Sequence, residues 1–244
     1  MKSVAFILVC GLMVMSFSVV AVAQENQIYY GLIEPSEIVN VSSQINGTLE
    51  EILVERGDMV EKDQIIALLN SNIEKSAVAL ALARVEFGKR KVDRNEELFR
   101  KQLISIHDKD EMETELRISE LQFREAQEKL AIRTIRSPTS GFVMERFLSP
   151  GEYVGEEPIL QIARIDPLYV EVVVPVEEIG TIMKGMAAKV RPEHPGTERY
   201  DASVIIVDRV IDAASGTFGV RLELANPDRL LPAGLKCTVR FLEK

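Results

Sequence analysis

The sequence predicts a mainly β protein interrupted by an α-helical coiled-coil hairpin, and three observations predict it. The first is a gapless internal repeat. Residues 47–69 read GTLEEILVERGDMVEKDQIIALL and residues 141–163 read GFVMERFLSPGEYVGEEPILQIA. Gly47, Gly57, Val60 and Ile65 fall on Gly141, Gly151, Val154 and Ile159, always at one offset (141 − 47 = 94). A repeat at fixed spacing marks a duplicated structural unit. The second observation is the long stretch Ile73–Ile135 between the halves, where apolar residues recur at helical spacing. The third is a return, after Asp166-Pro167, to short β runs punctuated by Gly and Pro.

Composition narrows the function classes. The chain has 244 residues, enough for more than one small domain. Its 38 acids against 29 bases give a net charge of −9, the wrong sign for a nucleic-acid partner. His107 and His194 lie far apart and lack metal-ligand spacing, so no metal site is expected. The scattered Asp and Glu read as solvated surface. No nucleophile–base pair or phosphate-cradling glycine loop is present, so no enzyme activity and no catalytic or cofactor residue is expected.

The N-terminus carries an export signal. Lys2 precedes an apolar run from Val4 to about Val20, and Ala21-Val22-Ala23 supplies the small-x-small pattern of a signal-peptidase site. Cleavage after Ala23 is expected, with an uncleaved anchor as the competing reading, since about 20 apolar residues span a bilayer. Cys10 follows the bulky Val9, which argues against lipoprotein attachment. Removal of residues 1–23 leaves Cys237 as the only cysteine, in a strand-like alternation with Leu235 and Val239.

From Ile28 to Leu69 the pattern is β, in the runs Ile28–Ile33, Ile38–Val41, Leu49–Val54 and Gln64–Leu69, with Pro35, Asn46-Gly47 and Gly57-Asp58 as breaks. The period then changes. Val78, Leu82, Val85, Val92, Phe99 and Leu103 form one ladder, with Lys89 and Glu96 at its polar steps. Met112, Leu116, Ser119, Phe123, Ala126 and Leu130 form a second, and together they read as the seam of a two-helix coiled coil. The turn is placed at about Leu103–Asp108, with Ser105 or Asp108 as cap of the second helix, and Pro138 follows as a stop. The arm holds 13 basic and 13 acidic residues between Ile73 and Ile135. Such mixed charge is the surface of a solvated coiled coil. Beyond Asp166-Pro167, the runs Leu168–Val174, Ala187–Arg191, Ala202–Asp208, Phe218–Leu224 and Leu235–Phe241 suggest a small closed barrel, with a short helix at Glu177–Lys184.

These motifs resemble the periplasmic adaptor subunits, or membrane fusion proteins, of tripartite efflux systems (the HlyD/AcrA-like family). The half-motifs GTLEEILVERGDMV and RSPTSGFVMERFLSPGEYV and the barrel stretch VIDAASGTFGVRLELANPDRLLPAGLKCTVRF carry the resemblance, from Ile28 to Phe241. It implies a split lipoyl-like barrel-sandwich hybrid (24–72 and 136–166), a helical hairpin (73–135) and a β-barrel domain (167–244). It further implies a non-catalytic adaptor in the periplasm, associated with the inner membrane. Such an adaptor couples an inner-membrane transporter, of RND or ABC type and most simply RND, to a TolC-like outer-membrane channel, and assembles as a hexamer. Arg94, Leu98 and Ser105 have the four-then-seven spacing of the family's tip motif and are the expected contact to the channel. Asp63 stands where the family has glycine, which implies a different turn there. The chain also stops soon after the barrel, so a separate membrane-proximal domain is not expected.

Two other readings compete. A lipoate or biotin carrier would need its lysine on the turn between the half-motifs, where only Lys75 is near and lies in the first turn of a helix. An envelope structural protein could self-associate through the coiled coil alone, but would need neither the split repeat nor the barrel.

Overall fold

The computed structural model describes residues 27–193 and 198–242. The export signal at 1–23, Cys10 and His194 lie outside the described residues. Among the described residues, twelve strands and two α-helices make up the fold. Strand β1 (Tyr29–Val41) and strand β8 (Leu160–Pro175) are its spine. They pair antiparallel along almost their whole length, and each contributes side chains to two separate cores. Tyr29 and Ile33 sit in one core and Val41 in the other; Leu168–Val174 and Leu160–Ile162 divide in the same way.

The first core is a six-stranded barrel. Between β1 and β8 run β12 (Lys236–Phe241), β9 (Ala187–Pro192), β10 (Tyr200–Val207) and β11 (Thr217–Leu224). The ring closes because β1 pairs with both β12 and β8. Inward positions alternate along each strand, so Val170, Val172, Val190, Val220, Leu222 and Val239 are all fully buried. The N-terminal run thus supplies the sixth strand, and Tyr29 and Ile33 pack with the barrel rather than with the repeat.

The second core is made by the repeat. Strands β2 (Gly47–Ile52), β3 (Met59–Val60) and β4 (Ile65–Leu69) come from the first half. Strands β6 (Gly141–Arg146), β7 (Tyr153–Val154) and the start of β8 come from the second, and β5 (Thr134–Arg136) edges β4. The halves exchange strands reciprocally: β2 pairs with β7 and β3 with β6. Even the bulges correspond, Leu49/Glu51 in one half and Val143/Glu145 in the other. Gly57 and Gly151 take the same left-handed backbone, φ +95° and +92°, where a side chain would be strained. Val60 and Val154 are both fully buried.

Two local expectations need correction. Pro35 does not end a strand; it sits in β1 where the pairing with β8 shifts register between Pro35 and Glu37, an irregularity that tolerates a missing amide donor. Asp166-Pro167 lies inside β8 yet marks the expected boundary, since Leu160 and Ile162 before it enter the sandwich core and side chains from Leu168 on enter the barrel core. Asp63 takes the left-handed conformation itself, φ +65°, which Asp tolerates better than most residues. The helix expected at Glu177–Lys184 is reduced to one 3-10 turn, Val176–Glu178, because Gly180 and Gly185 adopt positive φ and end it.

Candidate partner-binding site

The hairpin consists of α1 (Asn72–Arg100) and α2 (Ile106–Ala131). At ~1.5 Å per residue they reach about 40 Å from the sandwich. The α2 ladder packs as the sequence predicts, with Met112, Leu116, Ser119, Phe123, Ala126 and Leu130 its half-buried positions. The α1 ladder is corrected by one residue. Val78, Val85, Val92 and Phe99 face the partner helix, but the intervening positions are Ala81, Gly88 and Asn95 rather than Leu82, Lys89 and Glu96. Small residues win because bulky ones stand opposite. A Cβ at Gly88 would lie 3.1 Å from Leu116 Cδ1 and 3.6 Å from its Cα, so the helices approach closely there. Lys89 and Glu96 are outside the seam; Lys89 reaches Glu120 at 3.7 Å and Glu96 pairs with Arg100 at 2.7 Å.

The tip is closed by two interlocking caps. Leu103 N–H donates to Leu98 O (2.9 Å) and Gln102 N–H to Phe99 O (2.8 Å), the paired bonds of a Schellman motif. Gln102 carries the left-handed residue, φ +58°. This turn ends α1 before Leu103, which leaves the seam and stands 67% exposed. At the other side Ser105 is the N-cap of α2. Its hydroxyl oxygen accepts from the Asp108 amide (3.1 Å), while its own amide (3.0 Å) and hydroxyl (2.7 Å) donate to Asp108 Oδ2. Those bonds hold the Asp108 carboxyl below its usual range, the hydroxyl contributing most. Between expected caps, the structure selects Ser105.

The three expected tip residues are placed differently from one another. Arg94 is exposed on α1, one helical turn before the half-buried Leu98 and on the same side. Among the described residues Arg94 makes no ion pair, unlike Lys89, Lys91, Arg100 and Lys101. Leu98 reaches the turn through its carbonyl, and Ser105 is committed to its cap. The exposed apolar side chains at the tip are Leu103 and Ile106, which the sequence reading had assigned to a seam and to a turn.

The root of the arm holds a feature that the sequence reading missed. Glu74, in the first turn of α1, pairs with Arg133, just past α2, at 2.7 Å, both largely buried. Arg133 Nη1 also donates to Asn46 O at 3.4 Å. A Cβ at Gly47 would lie 2.6 Å from that nitrogen, so this repeat glycine makes room for the guanidinium. The only sequence signal was an acid in the first turn facing a base 59 residues later. Lys75 next door is exposed in the first turn of α1. Among the described residues no group of three or more His, Cys, Asp or Glu is gathered to hold a metal, and no helix is long and apolar enough to cross a membrane.

The family profile of the CzcB-like barrel-sandwich hybrid domain matches residues 37–164, and that of the CusB-like β-barrel domain matches 167–244. The chain belongs to the periplasmic adaptor, or membrane fusion protein, family. Solved structures agree on the adaptor's fold. A MacA–MexA chimeric protein containing the Pseudomonas aeruginosa MexA α-hairpin domain superposes with a TM-score of 0.74 at 18% identity, over 88% of this chain and 78% of that one. The membrane fusion protein Spr0693 of Streptococcus pneumoniae R6 gives 0.70 at 15% identity, over 89% and 99%. ZneB from Cupriavidus metallidurans gives 0.54 at 20% identity, over 89% and 98%. No curated protein sequence matches the adaptor.

Proposed function

We propose that this adaptor is a non-catalytic coupler that joins an inner-membrane efflux transporter to a TolC-like outer-membrane channel, with the hairpin tip as the channel contact. The observation that carries the reading is the tip itself. A doubly capped turn holds Leu103 and Ile106 in solvent, with the exposed Arg94 further down α1, and an ordered apolar point at the end of a rigid arm is suited to docking. The match to a CusB-like barrel supports a transporter of RND type. Residues 24–72 with 136–166, 73–135 and 167–244 then act as joint, arm and transporter-side module. The exposed Leu80, Phe87, Ile118 and Leu121 on the arm support lateral packing of neighbouring copies, with six as the assembled number. Export would end with cleavage after Ala23 and leave the adaptor in the periplasm at the inner membrane.

The test is photo-crosslinking in living cells from Leu103, whose exposed side chain takes no part in either cap, with mass-spectrometric identification of the captured protein. Capture of an outer-membrane channel is the expected result. Capture only of other copies of this chain would replace the coupling role with an envelope scaffold held together by its coiled coils.

A further inference from the structure

The barrel carries a face at odds with the rest of the molecule. Outward positions of β9 and β12 are directly opposed, Lys189 with Arg240 and Arg191 with Thr238. Arg199 lies beside Arg191 at the start of β10, and Lys236 continues the β12 row. Five cations thus share one patch with three carboxylates, Asp201, Glu193 and Glu198, and Lys189 forms an ion pair with Asp201. The chain as a whole has the opposite balance, 29 bases against 38 acids. Among the described residues Arg191, Arg199, Arg240 and Lys236 have no ion-pair partner. An apolar and aromatic border runs alongside on β1: Ile28 is 52% and Tyr30 74% exposed, with Leu32 and Leu242 also open.

We propose that this face binds the anionic phospholipid surface of the inner membrane, with the arginines on headgroup phosphates and Ile28 and Tyr30 at the interface. Three features select a membrane. Unpaired arginines match phosphate, and each basic residue near an anionic leaflet adds to attraction. Tyrosine beside apolar residues is the side-chain type that settles at the headgroup level. The patch also begins where the described chain begins, directly after the apolar export segment. Uncleaved, that segment would deliver the patch onto the bilayer. Cleaved after Ala23, the adaptor would have no span among its described residues, and a surface such as this one would hold it at the membrane. Orientation fits: β1 starts in this face and ends at Val41 in the sandwich core, from which the arm departs. The inference rests on the adaptor reading only for which membrane is met, and a failed channel contact leaves it untouched.

The test uses the exported protein with a photoreactive phenylalanine analogue at Tyr30, mixed with vesicles of phosphatidylcholine alone or with about one third phosphatidylglycerol. Phospholipid adducts are then quantified by mass spectrometry. Adducts should form on the anionic vesicles and fall at least about tenfold in Arg191→Glu/Arg240→Glu, in line with the per-charge attraction. They should fall similarly at high salt, where surface charges are screened. The Arg191→Gln/Arg240→Gln pair should fall in between, which separates lost attraction from misfolding. Absence of lipid adducts would overturn the proposal. So would equal yields on both vesicle types, or yields indifferent to the charge reversal, or adducts forming only with added transporter protein.

Discussion

Glu74 and Arg133 meet at 2.7 Å across the base of the hairpin, and they join the first turn of α1 to the segment that re-enters the sandwich. The pair is mostly shielded from water, so removing one member strands the other. Arg133→Met should therefore cost about 2 kcal/mol, below the figure for a fully buried pair because some exposure remains. Thermal unfolding should report the loss, and hydrogen exchange should localise it to residues 46–48 and 72–76. Gly47→Ala should act through the same contact by displacing the guanidinium. In a double-mutant cycle with Arg133→Met its effect should shrink well below its value alone. Additive effects would mean that the glycine serves only its own turn.

The α1 seam separates two sets of neighbouring residues by packing. Gly88→Leu should destabilise the hairpin by about 1–3 kcal/mol, because its Cβ meets the Leu116 side chain at 3.1 Å and forces the helices or that side chain to shift. Leu82→Ala and Lys89→Ala should each stay within about 0.5 kcal/mol, as surface changes do. Circular dichroism melts of the three variants decide between the two ladders. Equal losses at Leu82 and Gly88 would restore the hydrophobic ladder.

This comparison shows where the sequence is legible. The repeat was readable because paired halves must solve the same turn twice, and Gly57 with Gly151, and Val60 with Val154, keep the solution visible. The arm was readable from its period. The exact face was not, since hydrophobicity favours Leu82 over Ala81 or Gly88. The preference for small residues appears only once Leu116 and Phe123 are placed opposite. The Glu74–Arg133 pair and the barrel's sixth strand depend on contacts between distant segments, which no local spacing encodes. Pro35 misled for the converse reason: a bulge absorbs a residue that ordinarily stops a strand.

Among the described residues three positions carry left-handed backbone without glycine, Asp63, Gln102 and Arg229. Asp63 and Gln102 have φ of +65° and +58°. Replacing either by glycine removes the Cβ clash and should stabilise by about 0.5–1 kcal/mol after the added chain entropy is subtracted. Gln102→Gly should gain more, because Asp is the better tolerated of the two in this region. Chemical denaturation with unchanged m-values would confirm both; a loss at position 63 would show that its side chain has a further role.

Burial pushes the Cys237 thiol up to about 12, with the nearby Gly31 amide only partly offsetting it. At pH 8 about one thiol in ten thousand is then ionised. A maleimide should label the folded protein at Cys237 negligibly and the unfolded protein at once. Labelling under native conditions would show that the barrel opens between β12 and β9.

The tip can be interrogated by pH and by charge, and the two answers are separable. The Asp108 carboxyl is depressed by its bonds to Ser105, so the capping box contributes stability above the unfolded-chain value near ~4 and loses it as pH falls below that. Protection of the amides at residues 105–109, relative to their intrinsic exchange rates, should fall in acid, and Ser105→Ala should abolish that acid step while raising local opening about fivefold at neutral pH. Ser105→Asn keeps an effective N-cap and should leave the melting temperature almost unchanged. Arg94→Asp should do the same, because Arg94 is exposed and unpaired. If the tip docks on a channel, however, Arg94→Asp should lower export at least tenfold in cells at equal adaptor levels, since a reversed charge at a contact point both removes attraction and adds repulsion. A stable, abundant Arg94→Asp adaptor with full export would remove Arg94 from the contact and leave Leu103 and Ile106 as the residues to test.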